Sequence, residues 1–120
     1  MIMSKEENLS TDKKDIRLKI TNHMRSFYGL DDDQIEKLLL TAKKTLADNF
    51  SAAESALKGN DYENLGFFAH AIKGSLLNLG LNDSSDKAKK IEVSVRENLE
   101  IDFEGLLSQL SNDIADLLAI

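Results

Sequence analysis

The chain contains two histidines, and only His70 has neighbours whose types and spacing could serve a reaction. Lys73 follows it by one helical step, and Gly66 and Gly74 stand four residues before and four residues after it. Residues three and four apart are neighbours on a helix surface, so in a helix these residues form a single ridge. Each glycine in a helix interior costs about 1 kcal/mol relative to alanine. Two of them beside one histidine therefore indicate a need for bare backbone around the imidazole. Phe67 and Leu77 flank the same ridge, and an apolar ring around a reactive group has the make-up of a docking face. The chemistry this favours is a nucleophilic ring nitrogen held outward to a partner. Close helix packing is the other common use of helical glycine, but the ridge lies opposite the apolar sector of the same segment.

That sector is read from periodicity. At roughly 100° per residue, Leu65, Phe68, Ala69, Ile72, Leu76 and Leu79 gather on one side and His70, Glu63, Lys73 and the glycines on the other. The segment is the third of five predicted helices. The first, about Thr11 to Phe27, places Ile16, Ile20, Met24 and Phe27 on one stripe and stops near Gly29. The second opens with Asp31 as N-cap and Gln34 completing a capping box; Leu30 and Ile35 stand at the positions of a hydrophobic staple. Its stripe runs through Ile35, Leu38, Leu39, Ala42, Leu46, Phe50, Ala53 and Leu57 to Gly59 as C-cap. Asn60 and Asp61 start the third helix, with Glu63 completing a capping box from Asn60, and Gly80 closes it. Asn82 or Asp83 starts the fourth, with Ala88, Ile91, Val95 and Leu99 as its stripe. The fifth begins at Asp102, with Ile101 and Leu106 as staple partners, and buries Phe103, Leu106, Leu107, Leu110, Ile114 and Leu117. Short loops between helices two to five force neighbours to run antiparallel. The expected fold is all-α: an antiparallel up-down-up-down four-helix bundle with an additional N-terminal helix. Residues 1–10 are expected to be a flexible N-terminus and residues 11–120 a single domain.

The stretch His70-Ala71-Ile72-Lys73-Gly74-Ser75, continuing to Asn78-Leu79-Gly80, resembles the signature of histidine-containing phosphotransfer domains. That pattern is a histidine, two variable residues, Lys-Gly and a small residue, then Asn-Leu-Gly closing the helix. The resemblance runs from about Leu38 to Leu110, and Ile91-Glu92 with Arg96 is similar to the family's fourth-helix pattern. Leu76 departs from the small residue usual at its position, and Phe67-Phe68 replaces a stretch that is often more polar. The resemblance implies that His70 accepts a phosphoryl group on Nε2, that Lys73 stabilises the transferring oxygens, and that Gly74 gives a partner's active-site loop room to approach. It implies response-regulator receiver domains and a hybrid sensor histidine kinase as partners, with the receiver supplying Mg²⁺ and the aspartate. An exposed imidazole is mostly neutral near pH 7, which leaves a ring nitrogen with a free lone pair for phosphorus. On this reading the chain is a carrier with no kinase site, cofactor or metal of its own. A helical adaptor that binds a receiver or kinase without carrying phosphate is the other class of function, and only His70 with Lys73 separates the two.

Composition sets the outer bounds. With 120 residues, 42% of them apolar, no proline and no cysteine, the chain is sized for one helical core without disulfides or thiolate metal sites. A formal net charge of −6, with lysines scattered among carboxylates, argues against nucleic acid as a partner. No apolar run is long enough for a membrane span, so a cytoplasmic monomer is expected, though the chain could also be a piece of a larger hybrid or chemotaxis kinase. Of the remaining features, His23 is expected to be solvated on the polar side of the first helix. Asp31-Asp32-Asp33 reads as a helix start, because it lacks the glycine and distal glutamate of a calcium loop. Lys87, Lys89 and Lys90 read as a solvated face, and Gly105 as a contact point for another chain.

Overall fold

A computed structural model describes residues 11–119; the expected flexible N-terminus, residues 1–10, lies outside them. Among the described residues there are five helices and no strand: α1 Thr11–Tyr28, α2 Asp32–Lys58, α3 Tyr62–Asn78, α4 Asn82–Arg96 and α5 Phe103–Leu118. The number and order of the elements are those predicted.

Local chemistry sets the boundaries. Gly29, at φ 62°, takes the left-handed conformation that ends α1. The capping box at the start of α2 forms as expected: the Asp31 carboxylate accepts from the Gln34 N–H at 2.8 Å, and the Gln34 side chain accepts from the Asp31 N–H at 3.0 Å. Gly59 occupies the C-cap position but has φ −87°, and the left-handed residue is Asn60, at φ 54°. This corrects the expected capping box from Asn60, while the expected start at Asp61 holds. An asparagine committed to the left-handed turn cannot also be the extended N-cap, so the cap passes to Asp61, which accepts from the Asn64 N–H at 3.2 Å. At the start of α5, Asp102 accepts from the Gly105 N–H at 2.9 Å. A Cβ at Gly105 would collide with that carboxylate, so this glycine has a local reason to be there.

The core is built around α3. Leu65, Ala69, Ile72, Leu76 and Leu79 are buried among Leu39, Leu46, Phe50 and Ala53 of α2, Ala88 and Ile91 of α4, and Leu107, Leu110, Ile114 and Leu117 of α5. Each fully buried Leu or Ile contributes about 1.5–3 kcal/mol, so this cluster dominates the stabilisation. The α3–α4 contact is the most extensive, followed by α2–α3, while α4–α5 and α2–α5 complete the ring. Helix α1 lies against α5, with Ile20 and Met24 buried and Arg17 and Arg25 paired to Glu36 and Asp32 of α2.

Several expected core positions are corrected. Phe27 is 76% exposed and Leu38 45% exposed: Phe27 sits in the last turn of α1, and Leu38 lines an open groove with Tyr28, Asn78 and Leu79. Leu99, 48% exposed, follows the left-handed Asn98 and is therefore outside the helical register that made it look like a stripe residue. His23 is only partly solvated. Its ring seats against the Gly80 turn, where φ is +78°, and packs on Phe27 at 4.6 Å between ring centroids. Lys87 is not simply solvated either, since it pairs with Asp113 of α5.

Candidate functional site

His70 leaves the middle of α3 on the side away from the core, and its side chain is 69% exposed. Its Nδ1 lies 2.8 Å from Oε2 of Glu92 on α4. The Glu92 side chain is only 17% exposed, and both of its oxygens also take Nζ of Lys73, at 3.2 and 3.3 Å. Burial raises the Glu92 carboxyl, but hydrogen bonds from His70 and Lys73 and the charges of both outweigh it, so the group lies below its ordinary value of 4.5. An ionised carboxylate can only accept, which makes Nδ1 the protonated nitrogen. In the neutral ring the lone pair then belongs to Nε2, the nitrogen not engaged by Glu92. One carboxylate thus sets the tautomer and orientation of the imidazole and holds the neighbouring cation.

Two further contacts bring α4 close enough for this. The buried Ser85 hydroxyl donates to the Lys73 backbone carbonyl at 3.2 Å. Towards the start of α3, Val95 lies over Gly66, where an added Cβ would stand 3.0 Å from Val95 Cγ1. This corrects the placement of Gly66, which is buried under α4 and is not bare backbone open to a partner. The two glycines lie about 40° to either side of His70, and α4 covers only one of them. Gly74 is as expected: a Cβ there would meet nothing within 4 Å. Phe67, 66% exposed, and Leu77, 46% exposed, stand beside the histidine outside the core. Phe67, Gly74 and Leu77 thus share the open side, Lys73 stands beside Glu92, and Gly66 is a packing residue.

The pairing of Glu92 with His70 and Lys73 was missed in the sequence. The only signal was its place in the fourth-helix pattern, because a partner across two helices cannot be read without their register. His23 is a poorer candidate: its Nε2 is buried with no hydrogen-bond partner, and its ring packs on Phe27 and Tyr28 and against the Gly80 turn. Among the described residues no group of three or more His, Cys, Asp or Glu could hold a metal ion, and no helix is long and apolar enough to cross a membrane.

A protein-family model described as "Hpt domain" matches residues 37–120, which covers all the helices of the site and leaves α1 outside. No curated protein and no solved structure matches the chain significantly.

Proposed function

The chain belongs to the Hpt domain family, the histidine phosphotransfer modules of two-component phosphorelays, and from that premise we propose that His70 is the phosphoacceptor. The observation that carries this reading is an exposed imidazole whose Nδ1–H is held by a shielded carboxylate, Glu92, at 2.8 Å. Nε2 attacks the phosphorus of an aspartyl phosphate on a receiver domain. The N–P bond forms as the P–O bond to the aspartate breaks, and the leaving carboxylate stays on the receiver. The ring gains positive charge in this step, and Glu92 stabilises it through Nδ1–H. In the reverse direction a receiver aspartate oxygen attacks the same phosphorus and the imidazole leaves.

Lys73 is already held next to the histidine by Glu92, and exchanging one carboxylate oxygen for a phosphoryl oxygen brings its charge onto the transferring group. Phosphoryl transfer requires mainly positioning and charge stabilisation, and these residues supply both. Phe67, Gly74 and Leu77 form the surface on which the receiver docks. The partners are receiver domains and a hybrid sensor kinase, met by a cytoplasmic monomer that acts as carrier rather than kinase. An up-down-up-down order for α2–α5 fits the short connections at residues 59–61 and 79–81. It also fits the pairing of Gly66, His70 and Lys73 with Val95, Glu92 and Ser85, which runs backwards along α4.

The test is incubation with a panel of phosphorylated receiver domains, following label onto wild type and His70→Gln. Acid-labile, base-stable label on wild type alone is expected, with helicity and melting midpoint nearly unchanged in the variant because an outward side chain supports little packing. Label on His70→Gln would refute the acceptor assignment. Binding of receivers without any label would favour the adaptor reading instead.

A further inference from the structure

We propose that Gly66 is a positioning residue for His70: the backbone it leaves bare sets the α3–α4 spacing at which Glu92 reaches the imidazole. The proposal deepens the phosphoacceptor reading and rests on it. Gly66 lies in the interior of α3, where glycine costs about 1 kcal/mol relative to alanine, and it is buried although His70, one turn later, is exposed. What occupies the missing side chain's place is Val95, with Cγ1 at 3.0 Å and Cβ at 3.4 Å from where a Cβ would stand. A methyl group there requires the neighbour to give by a few tenths of an ångström.

Val95 has little freedom to give by itself. A β-branched side chain in a helix keeps one preferred χ1, and Val95 is packed against the core. The displacement therefore passes to the α4 backbone. Glu92 lies on the same unbroken helix, one turn before Val95, or about 4.5 Å along its axis. The far end of the contact is pinned where Ser85 donates to the Lys73 carbonyl. A push at Val95 thus swings that end of α4 away from α3 and takes Glu92 with it. The His70–Glu92 bond is 2.8 Å and the Lys73–Glu92 contacts are already 3.2 and 3.3 Å, while N–H···O bonds weaken beyond about 3.2 Å. A few tenths of an ångström is enough to loosen the first and lose the second.

The chemical consequence is specific. An imidazole freed from Glu92 distributes its proton over both nitrogens, and the Nε2–H form has no lone pair for phosphorus. The experiment uses the full chain and reads the two imidazole nitrogens of His70 by ¹⁵N NMR alongside phosphotransfer. In its neutral form the wild-type imidazole should show protonated Nδ1 and unprotonated Nε2. Gly66→Ala should shift that balance towards the Nε2–H form and slow transfer by about three- to tenfold, and Gly66→Val should do so further. Adding Val95→Ala to Gly66→Ala removes both Cγ atoms and should restore tautomer and rate together. If Gly66→Val does not fold, Val95→Ile presses on the intact glycine from the other side and should give the same shift.

A lower melting midpoint with the wild-type tautomer retained would overturn the proposal and leave Gly66 as a packing residue only. Failure of Val95→Ala to rescue would also overturn it. Because the tautomer is read without a partner, absence of phosphotransfer in wild type would count against the acceptor reading and leave this measurement standing.

Discussion

Replacing Gly74 separates the stability of α3 from its function. Gly74 lies inside α3, which continues to Asn78, and a Cβ added there would meet no atom within 4 Å. Alanine therefore gains helix propensity without strain, about 0.5–1 kcal/mol, or a melting midpoint raised by about 2–5 °C for a domain of this size. On the proposed function, the same methyl group points to the side from which a receiver approaches Nε2 of His70, one turn away and about 6 Å along the axis. Forcing an extra group into a close-packed contact costs about 1–3 kcal/mol, which slows transfer by about five- to 150-fold. Gly74→Gln should also fold and should transfer more slowly than Gly74→Ala. The assays are thermal melting by circular dichroism and single-turnover transfer from a phosphorylated receiver. The expected signature is a midpoint that rises while the rate falls. A destabilised Gly74→Ala would mean that this face of α3 is covered; an unslowed Gly74→Gln would mean that the receiver approaches from elsewhere.

Lys73→Ala keeps the nucleophile and removes the adjacent cation, so transfer should slow by about one to two orders of magnitude if the lysine supplies about 1.5–3 kcal/mol; equal rates at low and high salt would exclude that role. Glu92→Ala should slow transfer by about tenfold or more, with Glu92→Gln recovering part of the rate because its amide carbonyl still accepts from Nδ1–H; rates equal to wild type in both would remove Glu92 from the reaction. The Glu92 carboxyl is held below 4.5 in the folded protein, so its contribution to stability is complete above the ordinary glutamate range and is lost as pH falls through the lowered folded value. The stability difference between wild type and Glu92→Gln, measured by urea titration, should therefore shrink as the pH falls below about 4.5. A difference that stays constant to pH 3 would contradict the lowered value.

Much of this site was legible because the 3.6-residue period alone determines which side of α3 faces inward. Leu65, Ala69, Ile72 and Leu76 are buried and His70 is exposed, as the unrolled helix required. What the period does not contain is the position of the next helix. Gly66 and Gly74 are symmetric about His70 in the sequence, and only the seating of Val95 against α3 distinguishes them. The Glu92 pairing is hidden for the same reason, since a bond between residues on two helices depends on their register and spacing. Punctuation was read well where one residue had one role, as at Asp31 and Gln34, and less well at Gly59-Asn60-Asp61, where the left-handed position moved by one residue. The exposure of Phe27 and the seating of His23 are not legible in the sequence, because the orientation of α1 depends on how it meets the Gly80 turn, a tertiary contact with no local signal.

The lighter attachment of α1 has a consequence for exchange with solvent. Among the described residues, buried Ile20 and Met24, partly buried Ile16, a histidine seated on the Gly80 turn and ion pairs from Arg17 and Arg25 to α2 hold it, against the continuous core that holds α3. Amides in α1 should exchange through a sub-global opening well below the free energy of complete unfolding, whereas those of α3 and α4 wait for the whole ring to open. The Arg25–Asp32 pair is exposed on both sides, so added salt screens it and increases the population with α1 lifted. That population uncovers Leu79 and the turn that ends the histidine-bearing helix, which makes a protease or a deuterium label a reporter of the helix outside the family-matched region.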